Sequence, residues 1–189
     1  IKFLSLGSGS SGNCYYLGTD TYSILIDAGV GIRTIKKIFK EYSLSLSTVR
    51  AVFITHDHAD HIKVAGHLAG KHNIPIYSTP EVHQGMRRSY CMTEKIDNAH
   101  AKFINKGETI TVEDFEITCF EVPHDGTDNV GYTIRIDGKT FSFLTDIGHI
   151  TETAAAHIVQ SNYLVLEANY DKTMLQIGPY PQYLKERIA

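Results

Sequence analysis

Three histidines and two aspartates lie within six consecutive positions of the sequence, residues 56–61, which read HDHADH. They directly follow an apolar run, residues 51–54, whose length and composition predict a buried strand. In extended backbone, His56 and His58 project to the same side and can give two nitrogen ligands to one cation. Imidazole together with carboxylate favours zinc, with manganese or iron as alternatives.

Asp60 and His61 complete this segment. If the backbone turns into a helix there, the two side chains can hold a second cation, at the separation of about 3.5–4 Å that two-metal hydrolases use. The alternative interpretation is a solvated, histidine-rich acidic loop. Five ionisable groups behind a buried strand are costly unless a cation compensates their charge. The sequence therefore predicts a site for two divalent metal ions at the end of a strand.

The length and the charge of the chain set limits on its function. The sequence has 189 residues and a formal charge of −3, which suits a single domain and gives no general basic excess for nucleic acid. Any contact with a polyanion must then use a local patch. A helical pattern runs up to Ala189, so we expect one domain, 1–189, that lacks its C-terminal end.

The cysteines and the apolar segments indicate the cellular compartment of the protein. Cys14, Cys91 and Cys119 form no CxxC pair, and an odd number of cysteines favours free thiols in a reducing environment. No stretch has the length of a membrane span, and residues 1–7 lack the apolar core of a secretion signal. We expect a cytoplasmic protein that does not contact a membrane.

Further acids and one more histidine follow other predicted strands. Asp27 could be a helix cap or a hydrogen-bond partner that orients a metal ligand, and we expect the second. His124 lies just past a strand, as a third imidazole ligand would. Asp146 ends an apolar strand, where its carboxylate could bridge two cations, and Glu167 ends the last predicted strand. Because acids and histidines recur at the ends of strands, we predict that the functional site lies along one edge of the sheets.

Hydrophobic periodicity predicts an α+β fold. Strand patterns occupy residues 2–6, 14–17, 22–26, 50–55, 74–78, 101–104, 109–112, 115–122, 130–136, 140–145 and 163–166. Helical patterns occupy residues 32–42 and 61–72, and another helix begins at Pro80. Asp137-Gly138-Lys139 predicts a tight connection between two strands. The order of the elements predicts two sheets packed face to face, with helices outside.

Two polar stretches leave their roles open. Residues 7–13 are small, and their amides could approach an anion, although a flexible turn is an equally good interpretation. Residues 86–90 form the densest basic and aromatic patch in the chain. A solvated helix face is the simpler interpretation of this patch, and a phosphate contact is the alternative.

The ordered set of candidate ligands resembles that of the metallo-β-lactamase-fold hydrolases, and the resemblance covers essentially the whole chain. It rests on the HxHxDH motif at residues 56–61, with Asp27 before it and His124 and Asp146 after it. It implies a four-layer αββα sandwich with two metals at one edge. The implied ligands are His56, His58 and His124 for the first metal, Asp60 and His61 for the second, and Asp146 for both.

Within that superfamily, residues 8–13, 145–149 and 166–169 resemble the YycJ-like (WalJ) branch, bacterial cytoplasmic proteins related to ribonucleases Z and J. The resemblance implies an exonuclease with nucleic acid as its partner, DNA being favoured over RNA. The sequence departs from the family in two places: no histidine follows His157, where the family has a further metal ligand, and Tyr170 stands where branch members often carry histidine. The oligomeric state is left open.

The leading hypothesis is hydrolysis of a phosphodiester in nucleic acid through a metal-activated water. Asp60 and Asp146 would hold the nucleophile, Asp60 could accept its proton, and Glu167 could orient a proton donor. One alternative is hydrolysis of a small ester, thioester or lactam at the same centre. Another is a non-catalytic binding or regulatory domain with an incomplete metal centre. A di-iron, oxygen-reducing protein is disfavoured, because that branch usually has a carboxylate at the position of His58.

Overall fold

A six-stranded sheet carries the motif at residues 56–61. The computed structural model describes residues 1–123, 128–147 and 150–167. In the first sheet the strands follow chain order: β1 Lys2–Gly7, β2 Cys14–Gly18, β3 Ser23–Ile26, β4 Val49–Phe53, β5 Ile76–Ser78 and β6 Ala101–Phe103. Strands β1 to β3 are antiparallel, whereas β3 to β6 are parallel. The parallel strands therefore end at the same edge of the sheet.

The second sheet has five strands, in the order β11-β10-β9-β8-β7. Their bounds are β7 Thr109–Val112, β8 Phe115–Glu121, β9 Val130–Ile136, β10 Lys139–Leu144 and β11 Tyr163–Leu166. All neighbouring pairs are antiparallel except β10 and β11. Asp137 and Gly138 form the two-residue hairpin between β9 and β10, with φ of 49° and 69°. Positive φ at both positions is the turn that the Asp-Gly sequence predicts.

Helices cover the outer face of each sheet. They are α1 Ile32–Glu41, α2 Ala59–Ile62, α3 Ala65–His72, α4 Pro80–Arg88 and α5 Glu152–Val159. Apolar side chains of α1, α3 and α4 share one core with the first sheet, and Ala154 of α5 packs against the second. A second core lies between the sheets, where Phe53 and Tyr132 have ring centroids 5.4 Å apart. The predicted four-layer αββα sandwich is confirmed.

Strand β4 is apolar on both faces because both faces are covered. Val52 packs towards the helices, whereas Ala51 and Phe53 pack towards the second sheet. A strand buried on both sides is expected to show a continuous apolar run instead of an alternating pattern. This burial places the residue that follows the strand at a fixed position between the two sheets.

The predicted helix over residues 61–72 is two helices, so that prediction is wrong in detail. α2 and α3 are separated by Lys63 and Val64. The break satisfies the backbone of the loop after β3, because the Ala28 N–H donates to the His61 carbonyl at 2.7 Å and the Val64 N–H donates to the Ala28 carbonyl at 2.9 Å. Helix α5 has no counterpart among the predicted elements; it begins after Thr151, whose hydroxyl accepts from the Ala154 N–H.

The cysteines are free, as predicted: Cys14 and Cys119 are buried and Cys91 is half-buried. None of the helices in the described ranges combines the length and the apolarity that crossing a membrane requires.

Candidate metal centre

Three predicted ligands converge where the two sheets meet. One ligand atom each from His56, His61 and Asp146 lies within 4.8 Å of the other two. His56 follows β4 of the first sheet, His61 lies in α2 at the end of the motif, and Asp146 follows β10 of the second sheet. The site is therefore assembled from both sheets, and no single segment of sequence contains it.

Asp146 makes the closest approaches in this cluster. Its Oδ2 lies 2.9 Å from Nε2 of His56, 3.6 Å from Nε2 of His61 and 4.0 Å from Nδ1 of His58. The side chain of Asp146 is 18% exposed, whereas that of His58 is 43% exposed and lies towards the open side of the site. All three predicted histidines of the motif are thus within reach of one carboxylate.

Asp27 is fully buried behind the cluster and accepts hydrogen bonds from two residues. Its carboxylate accepts from the Thr55 N–H at 2.8 Å, from the Thr55 hydroxyl at 2.9 Å and from Nδ1 of His61 at 2.8 Å. A proton held on Nδ1 leaves the lone pair of Nε2 directed at the cluster. Asp27 therefore lies beside a predicted ligand, and it caps none of the helices in the described residues.

Asp27 and Asp146 share the same backbone conformation. Asp27 and Asp146 have φ of 59° and 50°. Aspartate tolerates this left-handed conformation better than most residues. Each acid therefore ends its strand with a sharp turn that places its own carboxylate at the sheet edge.

Asn13 was not among the predicted site residues, although it lies at the centre of the arrangement. It is fully buried, and its Nδ2 lies 3.0 Å from Nε2 of His61 and 3.4 Å from Oδ2 of Asp60. Asp60, 30% exposed, has the same Oδ2 at 3.6 Å from Nε2 of His61. Asn13 also accepts from the Gly9 N–H at 2.8 Å. The small-residue loop after β1 is thereby fixed against the two residues predicted to bind the second metal.

Two threonines connect the sheets behind the ligands and were also missed. The Thr145 hydroxyl donates to the Thr55 hydroxyl at 3.1 Å, and Oγ1 of Thr55 lies 2.9 Å from Nδ1 of His56. Both threonines are fully buried. A signal for them existed, since each directly precedes a predicted ligand at a strand end, but only the fold brings them together.

Glu167 lies at the same edge without belonging to the cluster. Its N–H donates to the Leu144 carbonyl at 3.0 Å, which places Glu167 beside the end of β10. Burial raises the pKa of the Tyr15 hydroxyl, and the carboxylates of Glu167, Asp27 and Asp146 raise it further. His124, His149 and Tyr170 lie outside the described residues.

The carboxylates around His61 favour a positive charge in the cluster. Burial opposes the charged form of His61, but the Asp27 carboxylate, together with Asp60 and Asp146, outweighs it and raises the pKa of His61 to about 9. Burial and the neighbouring His56 lower the pKa of His58. Clustered imidazole and carboxylate donors in an acidic, largely buried setting are the ligands that a divalent cation such as zinc takes in proteins. The residues present fit such a cation.

Gly29 fixes the distance between the loop after β3 and helix α2. A β-carbon at this position would lie 1.6 Å from the Asp60 carbonyl oxygen, whereas one at Gly31 would meet nothing within 4 Å. We expect Gly29→Ala to lower the free energy of unfolding by about 1–3 kcal/mol. Gly31→Ala, the control without a close approach, should change it by about 1 kcal/mol at most, since Gly31 is the N-cap of α1. Urea denaturation measures both, and equal midpoints would contradict the close approach.

Comparisons with known proteins agree with this fold. The profile of the β-lactamase superfamily domain matches residues 22–182. Over 188 residues, the chain is 34% identical to exodeoxyribonuclease WalJ of Streptococcus pneumoniae serotype 2, strain D39, and 32% identical to exodeoxyribonuclease YycJ of Bacillus anthracis. Each alignment covers 100% of this chain and 70% of the relative.

A solved structure supports the fold alone. Zn²⁺-bound PqqB from Methylobacterium extorquens superposes with a TM-score of 0.68 at 18% identity, over 89% of this chain and 64% of PqqB. The present chain thus spans less than two thirds of that protein.

The chain belongs to the β-lactamase superfamily. Within the superfamily, identity over its full length groups it with the YycJ and WalJ exodeoxyribonucleases. The resemblance inferred from the motifs is confirmed, and so is the predicted class, a metal-dependent hydrolase.

Proposed function

We propose that this protein is a metal-dependent exonuclease that hydrolyses phosphodiester bonds in DNA. The observation that carries the proposal is the convergence of His56, His61 and Asp146 within 4.8 Å at the edge where the two sheets meet. The names of the two exodeoxyribonuclease relatives support DNA over RNA as the substrate. The proposal includes two divalent ions, with zinc favoured, and a cytoplasmic location, which rests on the three free cysteines.

The proposed metal ligands are His56, His58, Asp60, His61 and Asp146, together with His124, which lies outside the described residues. When bound there, a divalent cation supplies Lewis acidity towards a phosphoryl oxygen and lowers the pKa of water towards neutrality. Asp27 keeps the proton of His61 on Nδ1, so that Nε2 faces the cluster. The hydrogen bond between Asp27 and His61 therefore fixes the orientation of the His61 ring in the absence of substrate.

The remaining acids have proposed roles in proton transfer. Asp60 is 30% exposed and lies on the open side of the cluster, where its carboxylate can accept a proton from the attacking water. Asp146 orients the nucleophile from the opposite sheet. Glu167 lies beside the end of β10 and is proposed to orient a proton donor for the leaving group. Beneath these acids, Thr55 and Thr145 form a fully buried layer.

Local charge supports a polyanionic substrate despite the net charge of −3. Arg87 and Arg88, in the last turn of α4, are both exposed, and Tyr90, two residues after the helix, is 94% exposed. Exposed basic and aromatic side chains in one short segment can contact the backbone and stack on unpaired bases. This exposure is what a phosphate contact requires, and a solvated helix face shows the same exposure.

The test of the proposal is a cleavage assay with defined substrates. The full chain, loaded with zinc or manganese, is offered end-labelled single- and double-stranded DNA and RNA, with nitrocefin and a small thioester as other substrates. We expect stepwise shortening of DNA from one end. The His56→Ala, His58→Ala double variant defines the background. DNA cleavage no faster than this background, or turnover of the small substrates alone, would contradict the proposal.

A further inference from the structure

A cavity of about 290 Å³ opens directly beside the metal centre. Asp60 forms the part of its wall that the cavity shares with the metal cluster. Ser10 and Ser11 come from the loop after β1, Lys63 from the break between α2 and α3, and Cys91 from the segment after α4. Together with Gly29 of the loop after β3, four separate parts of the chain thus line a space that adjoins the proposed point of hydrolysis.

The turn that carries Ser10 and Ser11 is held rigidly against the metal centre. Ser10 and Ser11 are the two central residues of a turn closed by the hydrogen bond from the Gly12 N–H to the Gly9 carbonyl at 3.0 Å. Gly9 and Gly12 have φ of 102° and 142°, which glycine adopts without strain. Asn13 fixes this turn to the site: its Oδ1 accepts from the Gly9 N–H, and its Nδ2 lies 3.0 Å from His61. The exposed hydroxyls of both serines are therefore placed at a defined distance from the metal ligands.

Lys63 gives the cavity its positive charge. It is exposed, and within the parts of the chain that the structure describes it takes part in no ion pair. Its backbone is helical, with φ and ψ of −43°, so Lys63 and Asp60, three positions apart, lie on the same face. The ammonium and the carboxylate that is a proposed metal ligand therefore border the same space. An anion in the cavity would lie between the Asp60 carboxylate, whose charge the proposed metal compensates, and the Lys63 ammonium, which has no acidic partner in the described residues.

We propose that this cavity binds the backbone phosphate next to the scissile phosphodiester of a DNA strand. Lys63 is its ionic partner, and the hydroxyls of Ser10 and Ser11 donate hydrogen bonds to it. The inference rests on the proposed exonuclease function and names the contact that sets the register of the strand. The volume is at the lower end of the roughly 300–1,000 Å³ of small-ligand sites, which suits one nucleotide unit and not a duplex. Lys63 is a binding residue here, and it takes no part in the bond cleavage.

The test neutralises each partner of the proposed contact in turn. Lys63→Met removes the ammonium, and a DNA substrate with a single methylphosphonate linkage next to the terminal scissile bond removes the charge of one phosphate. With the wild-type protein, either change should raise KM about tenfold, the effect of losing one charge-assisted hydrogen bond, with little change in kcat. With Lys63→Met, the methylphosphonate should cause a much smaller further increase, from the contacts to Ser10 and Ser11 alone, and Lys63→Arg should restore part of the affinity.

Lys37→Met is the matched control, because Lys37 is an exposed lysine of α1 that does not line the cavity. It should leave KM unchanged and keep the full effect of the methylphosphonate. The same increase from the methylphosphonate in wild type and in Lys63→Met, with normal cleavage of unmodified DNA, would overturn the phosphate site alone. A wild-type protein that does not cleave unmodified DNA would overturn both this inference and the proposed function.

Discussion

Asp146→Asn is expected to lower the rate of DNA cleavage by at least about 100-fold, because Asp146 is a proposed metal ligand and Lewis-acid stabilisation by a bound metal contributes several kcal/mol. Asp146 is the carboxylate that the second sheet contributes to the cluster, and its Oδ2 lies 2.9 Å from His56 and 3.6 Å from His61. Asparagine keeps the shape of the side chain and also tolerates φ near 50°. The loss should therefore reflect the missing charge and not a strained backbone.

The matched control for this substitution is Asp137→Asn. Asp137 lies at the other end of β10, is exposed, and has φ of 49°. Both variants change the net charge equally, and both place asparagine in the same backbone conformation. Cleavage rates and bound metal, measured by elemental analysis after dialysis, should stay at the wild-type level in Asp137→Asn and fall together in Asp146→Asn. Equal activity of the two variants would remove Asp146 from the centre.

The strands and the ligand motif could be predicted from sequence because their signals are local. The apolar run of β4 and the Asp-Gly turn between β9 and β10 each depend on neighbouring residues alone. The same holds for the HxHxDH spacing at residues 56–61, in which all candidate ligands lie within six consecutive positions. Burial of the apolar side chains then decides which of the conformations allowed by these local patterns the chain adopts.

The missed features depend on contacts between distant segments. Asn13 and His61 are 48 positions apart, and Thr55 and Thr145 are 90 positions apart. No periodicity in either segment indicates such a pairing. The break between α2 and α3 has the same origin, since the Val64 N–H leaves the helix to donate to Ala28 of another loop. Helical periodicity over residues 61–72 could not reveal that competing hydrogen bond.

The connection between the sheets explains why a buried polar layer lies under the ligands. Thr55 donates to Asp27, contacts His56 and accepts from Thr145, so one hydroxyl links an acid, a ligand and the opposite sheet. Such a network is stabilising only when every member is satisfied. The ligands therefore depend on a polar layer whose removal should affect stability and metal binding together. Asp27, which accepts from two residues in this layer, is the position where both effects can be measured.

Asp27→Ala is expected to lower the free energy of unfolding by about 3–5 kcal/mol, the cost of breaking a buried, charged hydrogen-bond pair by removing one partner. The Thr55 N–H, the Thr55 hydroxyl and Nδ1 of His61 would all lose their acceptor in a fully buried position. Alanine at φ of 59° also strains the backbone. Asp137→Ala, at φ of 49° in an exposed turn, measures that strain separately.

Asp27→Asn separates metal binding from folding. An asparagine oxygen can still accept from Thr55, but its amide would donate to Nδ1 of His61 and move the proton of the ring to Nε2, the atom that faces the cluster. We expect zinc affinity to fall by about 10–100-fold, the usual effect of removing such a partner, with a smaller loss of stability than in Asp27→Ala. Competition with a chromogenic chelator measures the affinity, and urea denaturation measures the stability. Wild-type zinc affinity in Asp27→Asn would show that this carboxylate does not set the tautomer of His61.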